Sequence, residues 1–438
     1  MSKIRNVFIL SLPFVLLSCA NSFGSSIKTN SKEEDLASSV DSSEAIKHLS
    51  QLKVNGTKIL NSNNEEIYLR GINAGGYLVT EDWMCPIILS EGEVDHKTIT
   101  NTLVDRFGEE ETLKIWETYR NNYWTEYDFE QCKKMGMTAI RLPFTYMSVD
   151  PLYNNVPSIE GQKYNFTILD NFIKGAEENG LYTILDLHGA YGSQNGYDHS
   201  GEILELEDVD FYSNEENMNK TLELWEATAE HYSGNPSIAA FDILNEPGER
   251  GSATGEKHWN YFDRCYDAIR EIDPSRVIVF ESCWEAENLP SPSKYGWENC
   301  IYSFHNYTST TKVEENRTRY QDKINSVEAM NFNVPLYMGE FNCYTSEESW
   351  NAVLDMMNEA GWNWTDWTHK INVSPNEKPL HQGWGIFNTA VDPIVGDVDD
   401  LNTIYQKLDL IRTDSIETFK STFSSNNTLY NVLKEHLN

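Results

Sequence analysis

Phe241-Asp242-Ile243-Leu244-Asn245-Glu246-Pro247 is a short, mostly apolar run that stops at an amide, a carboxylate and a proline. A run of this length reads as a strand buried on both faces, the pattern of a parallel sheet covered by helices. A charged group at the end of such a strand is costly unless it is paired or reaches the sheet's open end. The same grammar recurs along the chain. Candidate strands end at Arg70–Asn73, Ala139–Pro143, Ile184–His188, Val277–Glu281, Tyr302–Asn306, Leu336–Glu340 and Trp362–Trp367.

Helical stretches lie between several of these runs. The clearest is Glu215 to Tyr232, with Met218, Leu222, Trp225, Ala229 and Tyr232 on one stripe. Ser213 and Glu216 predict a capping box at its start and Gly234 its end. Thr125 and Asp128 predict another box for the helix that leads to Met135. Lys163–Glu178, Lys257–Ile272 and Glu347–Glu359 are further candidates. Strands alternating with helices over residues 51–438 fit an α/β fold, a (β/α)8 TIM barrel with enlarged loops at the C-terminal mouth. A doubly wound open sheet competes with it, but Gly71-Ile72-Asn73-Ala74-Gly75-Gly76 lacks GxGxxG spacing and no GxxxxGK[ST] occurs. Residues 52–69, with Asn55-Gly56 as the turn, predict a short N-terminal β-hairpin sealing the barrel bottom. Residues 78–124 and 189–214 read as long insertions over the mouth.

The start of the chain differs in kind. Lys3 and Arg5 precede the apolar run Val7–Leu17, too short to span a bilayer, which reads as a secretory signal over residues 1–18. Leu16-Leu17-Ser18-Cys19 resembles a bacterial lipobox, with Cys19 as the expected lipidation site. Residues 19–50, rich in Ser, Asn, Glu and Asp, read as a flexible tether. The expected location is therefore export, as a lipoprotein at the cell surface or in the periplasm, or otherwise as a secreted protein. The only expected membrane contact is the anchor on Cys19.

Composition narrows the partners. With 34 Lys+Arg against 68 Asp+Glu the net charge is −34, which argues against nucleic acid or anionic lipid as a ligand. Aromatic residues make up 12% of the chain, enough for a sizeable core and for stacking on flat, uncharged ligands. The six other cysteines show no metal spacing, and their pairing is open. The acidic run Asp392 to Asp400 lacks EF-hand spacing and reads as a solvated loop. Sequons occur, Asn55 and Asn165 among them, but Asn306 and Asn363 fall on expected strands. No metal, no cofactor and a monomer are expected.

A closed barrel would carry the polar strand ends to one rim: Arg141, His188, Asn245, Glu246, His305, Tyr307, Glu340 and Trp367. Glu246 and Glu340, from strands four and seven, would face each other. Two carboxylates in a neutral, aromatic-lined cleft suit glycosidic bond cleavage, one donating a proton and the other attacking the anomeric carbon. Asn245 suits a sugar 2-hydroxyl, Arg141 an ionised nucleophile, His305 and Tyr307 the orientation of the carboxylates, Trp367 and Trp284 a sugar face.

Asn245-Glu246-Pro247, with Ile140-Arg141-Leu142-Pro143 before it and Gly339-Glu340-Phe341 after it, resembles glycoside hydrolase family 5. The resemblance covers roughly residues 55–370. It implies a retaining β-glycosidase on a (β/α)8 barrel, with Glu246 as acid/base and Glu340 as nucleophile. It also implies substrate-binding or active-site roles for Arg141, His188, Asn245, His305, Tyr307 and Trp367. Asp186-Leu187-His188-Gly189-Ala190-Tyr191-Gly192-Ser193-Gln194-Asn195-Gly196-Tyr197-Asp198 is similar to the exo-β-1,3-glucanase branch, which adds Gln194 and Asn195 as expected substrate-binding residues. Arg70-Gly71-Ile72-Asn73-Ala74-Gly75-Gly76-Tyr77-Leu78 is similar to that branch's opening motif. Tyr77 in place of Trp, and Gly-Glu-Phe-Asn around Glu340, depart from it. The expected substrate is a neutral β-glucan, most simply a β-1,3-glucan. A β-1,4-glucanase, a β-mannanase, a transglycosylase and a non-hydrolytic carbohydrate-binding relative are the alternatives.

Overall fold

The computed structural model describes residues 49–92, 94–308, 310–373 and 383–438. They belong to one compact unit, Ile46–Asn438. The expected signal, Cys19 and all but the last two residues of the expected tether lie outside the described residues.

Eight parallel strands close into a barrel. In chain order they are β1 (Arg70–Asn73), β2 (Ala139–Thr145), β3 (Tyr182–Gly189), β4 (Ile238–Asp242), β5 (Ile278–Glu281), β6 (Cys300–Tyr307), β7 (Leu336–Asn342) and β8 (Asn363–Asp366). Closure runs through β8, which pairs with both β7 and β1. The expected (β/α)8 fold is the observed one, although the eighth strand stops one residue before Trp367.

Helices cover the barrel because their apolar stripes need the strands' outer faces. Glu215–Tyr232 shows how this positions the site. Its Trp225 is fully buried against Phe241 of β4, a burial worth about 1.5–3 kcal/mol. Trp225 Nε1 also donates to the carbonyl of Ile243 at 3.0 Å, two residues before Asn245. The cap of this helix differs from the expected Ser213/Glu216 box. Ser213 closes a 3-10 turn and its hydroxyl donates to the Asp210 carbonyl, so Asn214 caps the helix by accepting from the Asn217 N–H. The Thr125/Asp128 box is present.

Lys53–Asn55 and Lys58–Leu60 form the N-terminal hairpin about Gly56, and Leu52 and Ile59 pack with Ala139, Ile184, Val279 and Ile301. The insertion after β1 carries helices His96–Phe107 and Glu109–Tyr123. They form a second apolar core with Val391, Ile394, Ile404, Leu408 and Ile411 from the segment after β8. Asp399 and Asp400, in the acidic run, bond to Lys407 and cap the Leu401–Leu408 helix. Cys85, Cys132, Cys265, Cys283, Cys300 and Cys343 are free and buried. Among the described residues no helix is long and apolar enough to cross a membrane.

Candidate active site

Two carboxylates reach the mouth by different local devices. Glu246 lies four residues beyond β4, in the left-handed region at φ 38°. For a residue with a side chain this conformation costs about 1–3 kcal/mol and persists only where neighbours enforce it. Glu281 at the end of β5 does so, accepting from the Glu246 N–H at 2.8 Å. Glu340 lies within β7, where the register against β6 shifts between Met338 and Glu340. The residue skipped is Gly339. A Cβ there would lie 2.9 Å from both His305 Nε2 and Ser303 Oγ, so only glycine lets the strand bulge and turn Glu340 into the mouth.

Arg141 binds the set together from below. It is fully buried, and its guanidinium donates to Glu340 Oε1 (2.7 Å), Asn73 Oδ1 (3.2 Å), Asn245 Oδ1 (2.8 Å) and Asp242 Oδ2 (3.0 Å). Asp186 Oδ1 lies 3.1 Å from it. Tyr307 donates to Glu340 Oε2 at 2.7 Å. His305 Nδ1 stands 2.9 Å from Glu246 Oε1 and 3.5 Å from Glu340 Oε2, and its Nε2 is 3.3 Å from Glu281. Oxygens of Glu246 and Glu340 and a nitrogen of His305 all lie within 4.8 Å of one another.

Burial would push the Glu340 carboxyl up, but His305 and Arg141 outweigh it and hold it at about 2. Burial would likewise lower His305, yet Glu281 and Glu340 raise it well above the usual imidazole range. Asp186, Asp242 and Glu281 are pushed by burial up to about 7, against the pull of Arg141 on the two aspartates and of His305 on Glu281. Burial lowers His188 to about 3.

The carboxylates open on a cavity of about 330 Å³. His188 and Trp367 stack along one wall with ring centroids 5.4 Å apart, and Trp83, Trp384, Tyr307 and Trp284 follow one another along the rim. The Trp367–Thr368 peptide bond is cis. An ionised carboxylate facing a second carboxyl in an aromatic-walled pocket is equipped for attack at a carbon whose leaving group needs a proton.

Residues 104–373 match the family described as Cellulase (glycosyl hydrolase family 5). The chain belongs to glycosyl hydrolase family 5. It is 31% identical over 243 residues to a probable glucan 1,3-beta-glucosidase A of Aspergillus fumigatus, covering 55% of each chain. It is 30% identical over 263 residues to a beta-xylosidase of Phanerodontia chrysosporium, 59% of this chain and 52% of that one. A glucan 1,3-beta-glucosidase of Candida oleophila is 35% identical over 192 residues, 41% and 42% of the two chains. The chain thus spans about half the length of the curated relatives it matches. Among solved structures, rutinosidase from Aspergillus niger superposes with a TM-score of 0.57 at 16% identity, over 73% of this chain and 95% of that one, a likeness of fold.

This family 5 chain brings Glu246, Glu340, His188, Asn245, Tyr307, Trp367 and Trp284 to the cavity wall. Arg141 and His305 sit behind the carboxylates, fully buried. Gln194 and Asn195 correct the expectation of substrate contact. Both are fully buried, and they hold the loops rather than line the cavity. Gln194 donates to the carbonyls of His188 and Asn245, Asn195 to that of Glu246. Glu81, Trp83, Tyr197, Asp198, His199 and Trp384 also line the cavity, in addition to the site residues expected from sequence. Glu81 is buried, with one oxygen bonded to Trp83 Nε1, and burial and Asp198 raise its carboxyl well above the usual range. The signal available for it was the acidic pair Glu81-Asp82 set between apolar residues of the first insertion.

Proposed function

We propose that the chain is a retaining β-glycosidase with Glu340 as nucleophile and Glu246 as acid/base. The observation that carries this reading is the separation of the two carboxylates. Their nearest oxygens lie within 4.8 Å, which leaves room for direct attack and less than inversion needs for an intervening water. In the first half-reaction a Glu340 oxygen bonds to the anomeric carbon, the glycosidic C–O bond breaks, and the Glu246 proton goes to the leaving oxygen. In the second, water gives a proton to Glu246 and its oxygen to the anomeric carbon, and Glu340 leaves. Arg141, His305 and Tyr307 keep the nucleophile ionised. Asn245, with its oxygen taken by Arg141, has its amide nitrogen to offer a sugar 2-hydroxyl.

The substrate class is a neutral β-glucan, and a β-1,3-glucan first. An aromatic rim and a surrounding of carboxylates favour an uncharged sugar, and the two glucan 1,3-beta-glucosidase relatives point the same way. Export and lipidation at Cys19 belong to the same reading. They rest on Val7–Leu17 and on Leu16-Leu17-Ser18-Cys19.

The test is to follow laminarin, lichenan, barley β-glucan, cellulose and mannan by proton NMR. Laminarin is expected to react fastest and to release the β-anomer before mutarotation. Initial release of the α-anomer, or no turnover of any β-glucan, would overturn the proposal.

A further inference from the structure

Glu281, the last residue of β5, is fully buried and does not line the cavity. Its two oxygens nevertheless reach Glu246 by two routes. Oε1 accepts from the Glu246 N–H at 2.8 Å. Oε2 lies 3.3 Å from His305 Nε2, and the other nitrogen of that ring, Nδ1, lies 2.9 Å from Glu246 Oε1. Glu281 thus meets Glu246 directly at the main chain and through an imidazole at the side chain. The carboxyl is itself anchored, since Arg141 Nη2 is 3.5 Å from Oε2.

The chain just beyond Glu281 repeats the pattern. The Cys283 carbonyl accepts from the His305 N–H at 2.5 Å, and its sulfur accepts from the Gly248 N–H at 3.2 Å. The same stretch therefore holds both the loop that carries Glu246 and the strand that carries His305. Both grips bear on where the Glu246 carboxyl points. Its backbone is left-handed at φ 38°, a conformation that neighbours must enforce. His305 Nδ1 has a rival partner in Glu340 Oε2, at 3.5 Å. An imidazole held at Nε2 as well as at Nδ1 cannot swing toward that rival. On the other side, Glu246 Oε2 has a looser contact, with His199 Nε2 at 3.4 Å.

We infer that Glu281 is a positioning residue for Glu246, fixing its main chain and its side chain together so that the carboxyl can reach the glycosidic oxygen. The inference rests on the reading of Glu246 as acid/base. Glu340 keeps its own contacts with Arg141 and Tyr307, at 2.7 Å each. Loss of Glu281 therefore falls on the donation of a proton and the activation of water more than on attack by Glu340.

The experiment compares the intact protein with Glu281→Ala, Glu281→Gln and Glu246→Ala, each first checked for a folded thermal transition. Two β-glucosides are used, one with an alkyl leaving group and one with dinitrophenolate, which leaves without a proton. Azide is added as a nucleophile that needs no base. It bonds to the anomeric carbon of the glycosyl-enzyme, the bond to Glu340 breaks, and a β-glucosyl azide leaves. For Glu281→Ala, kcat/KM on the alkyl glucoside is expected to fall about a hundredfold, and far less on the dinitrophenyl glucoside. Azide is expected to raise its kcat on the dinitrophenyl glucoside and to divert product to the glucosyl azide. Glu281→Gln keeps an oxygen for the Glu246 N–H and gives up the charge beside His305. It is expected to show the same pattern at a smaller size, and it carries the test if Glu281→Ala does not fold. Equal losses on both substrates with no response to azide, or no loss in either variant, would overturn the inference. Glu246→Ala separates the two levels. If it shows the leaving-group dependence and the azide response and the Glu281 variants do not, only the role of Glu281 fails; if it shows neither, the acid/base reading fails with it.

Discussion

At the scale of single residues, Arg141 ties Glu340 to Asp186, Asp242 and Glu281. A fully buried guanidinium is tolerated only because several acceptors surround it, and removing one partner of such a cluster strands the rest. The charge of Glu340, the proposed nucleophile, depends on His305, on that cluster and on the neutral donor Tyr307. The Tyr307 hydroxyl bonds to the ionised form of Glu340, so losing it raises the carboxyl from about 2 toward its ordinary value. Tyr307→Phe is therefore expected to move the acidic limb of kcat/KM to higher pH, with kcat reduced about tenfold. An unmoved acidic limb would show that Tyr307 does not govern Glu340. These residues were legible because each interrupts or ends an apolar run. His199 and Glu81 were not, because they come from insertions whose path over the mouth has no periodicity to read.

Elements decide where those side chains point. The bulge at Gly339 sets the direction of Glu340, and a methyl group there would meet His305 and Ser303. Gly339→Ala is expected to lower stability by about 1–3 kcal/mol in denaturant unfolding, with a loss of kcat larger than that destabilisation explains. A variant with full stability and full activity would show that the bulge is adaptable. The barrel strands could be read from sequence because a parallel strand covered on both sides is apolar throughout. The Glu215–Tyr232 stripe was equally visible. Its true cap was not, since Ser213 and Asn214 are both good caps and only the turn before the helix chooses between them. The second core, built from the first insertion and the chain after β8, joins stretches about 300 residues apart, and no local pattern announces such a pairing.

Over the whole molecule, charge sets the response to pH. Asp186, Asp242 and Glu281 hold their protons up to about 7 in the fold but release them near 4 in the unfolded chain. The folded state thus binds more protons between those values, and stability falls as pH rises through about 7. His305, raised, acts in the same direction above the ordinary imidazole value. His188 and His96, lowered by burial to about 3 and about 4, oppose this only up to about pH 6.5. Tm is therefore expected to fall between about pH 6.5 and 8, more gently in Asp242→Asn; a Tm that rises over that range would contradict the assigned protonation. The barrel holds two carboxylates, from β7 and the loop after β4, within 4.8 Å of each other, the spacing on which the proposed double displacement rests. Trapping the protein with a 2-deoxy-2-fluoro-β-glucosyl fluoride and mapping the adduct by peptide mass spectrometry tests that claim most directly. The fluorosugar is expected on the peptide containing Glu340, at that residue; an adduct on another carboxylate, or turnover with no adduct, would contradict it.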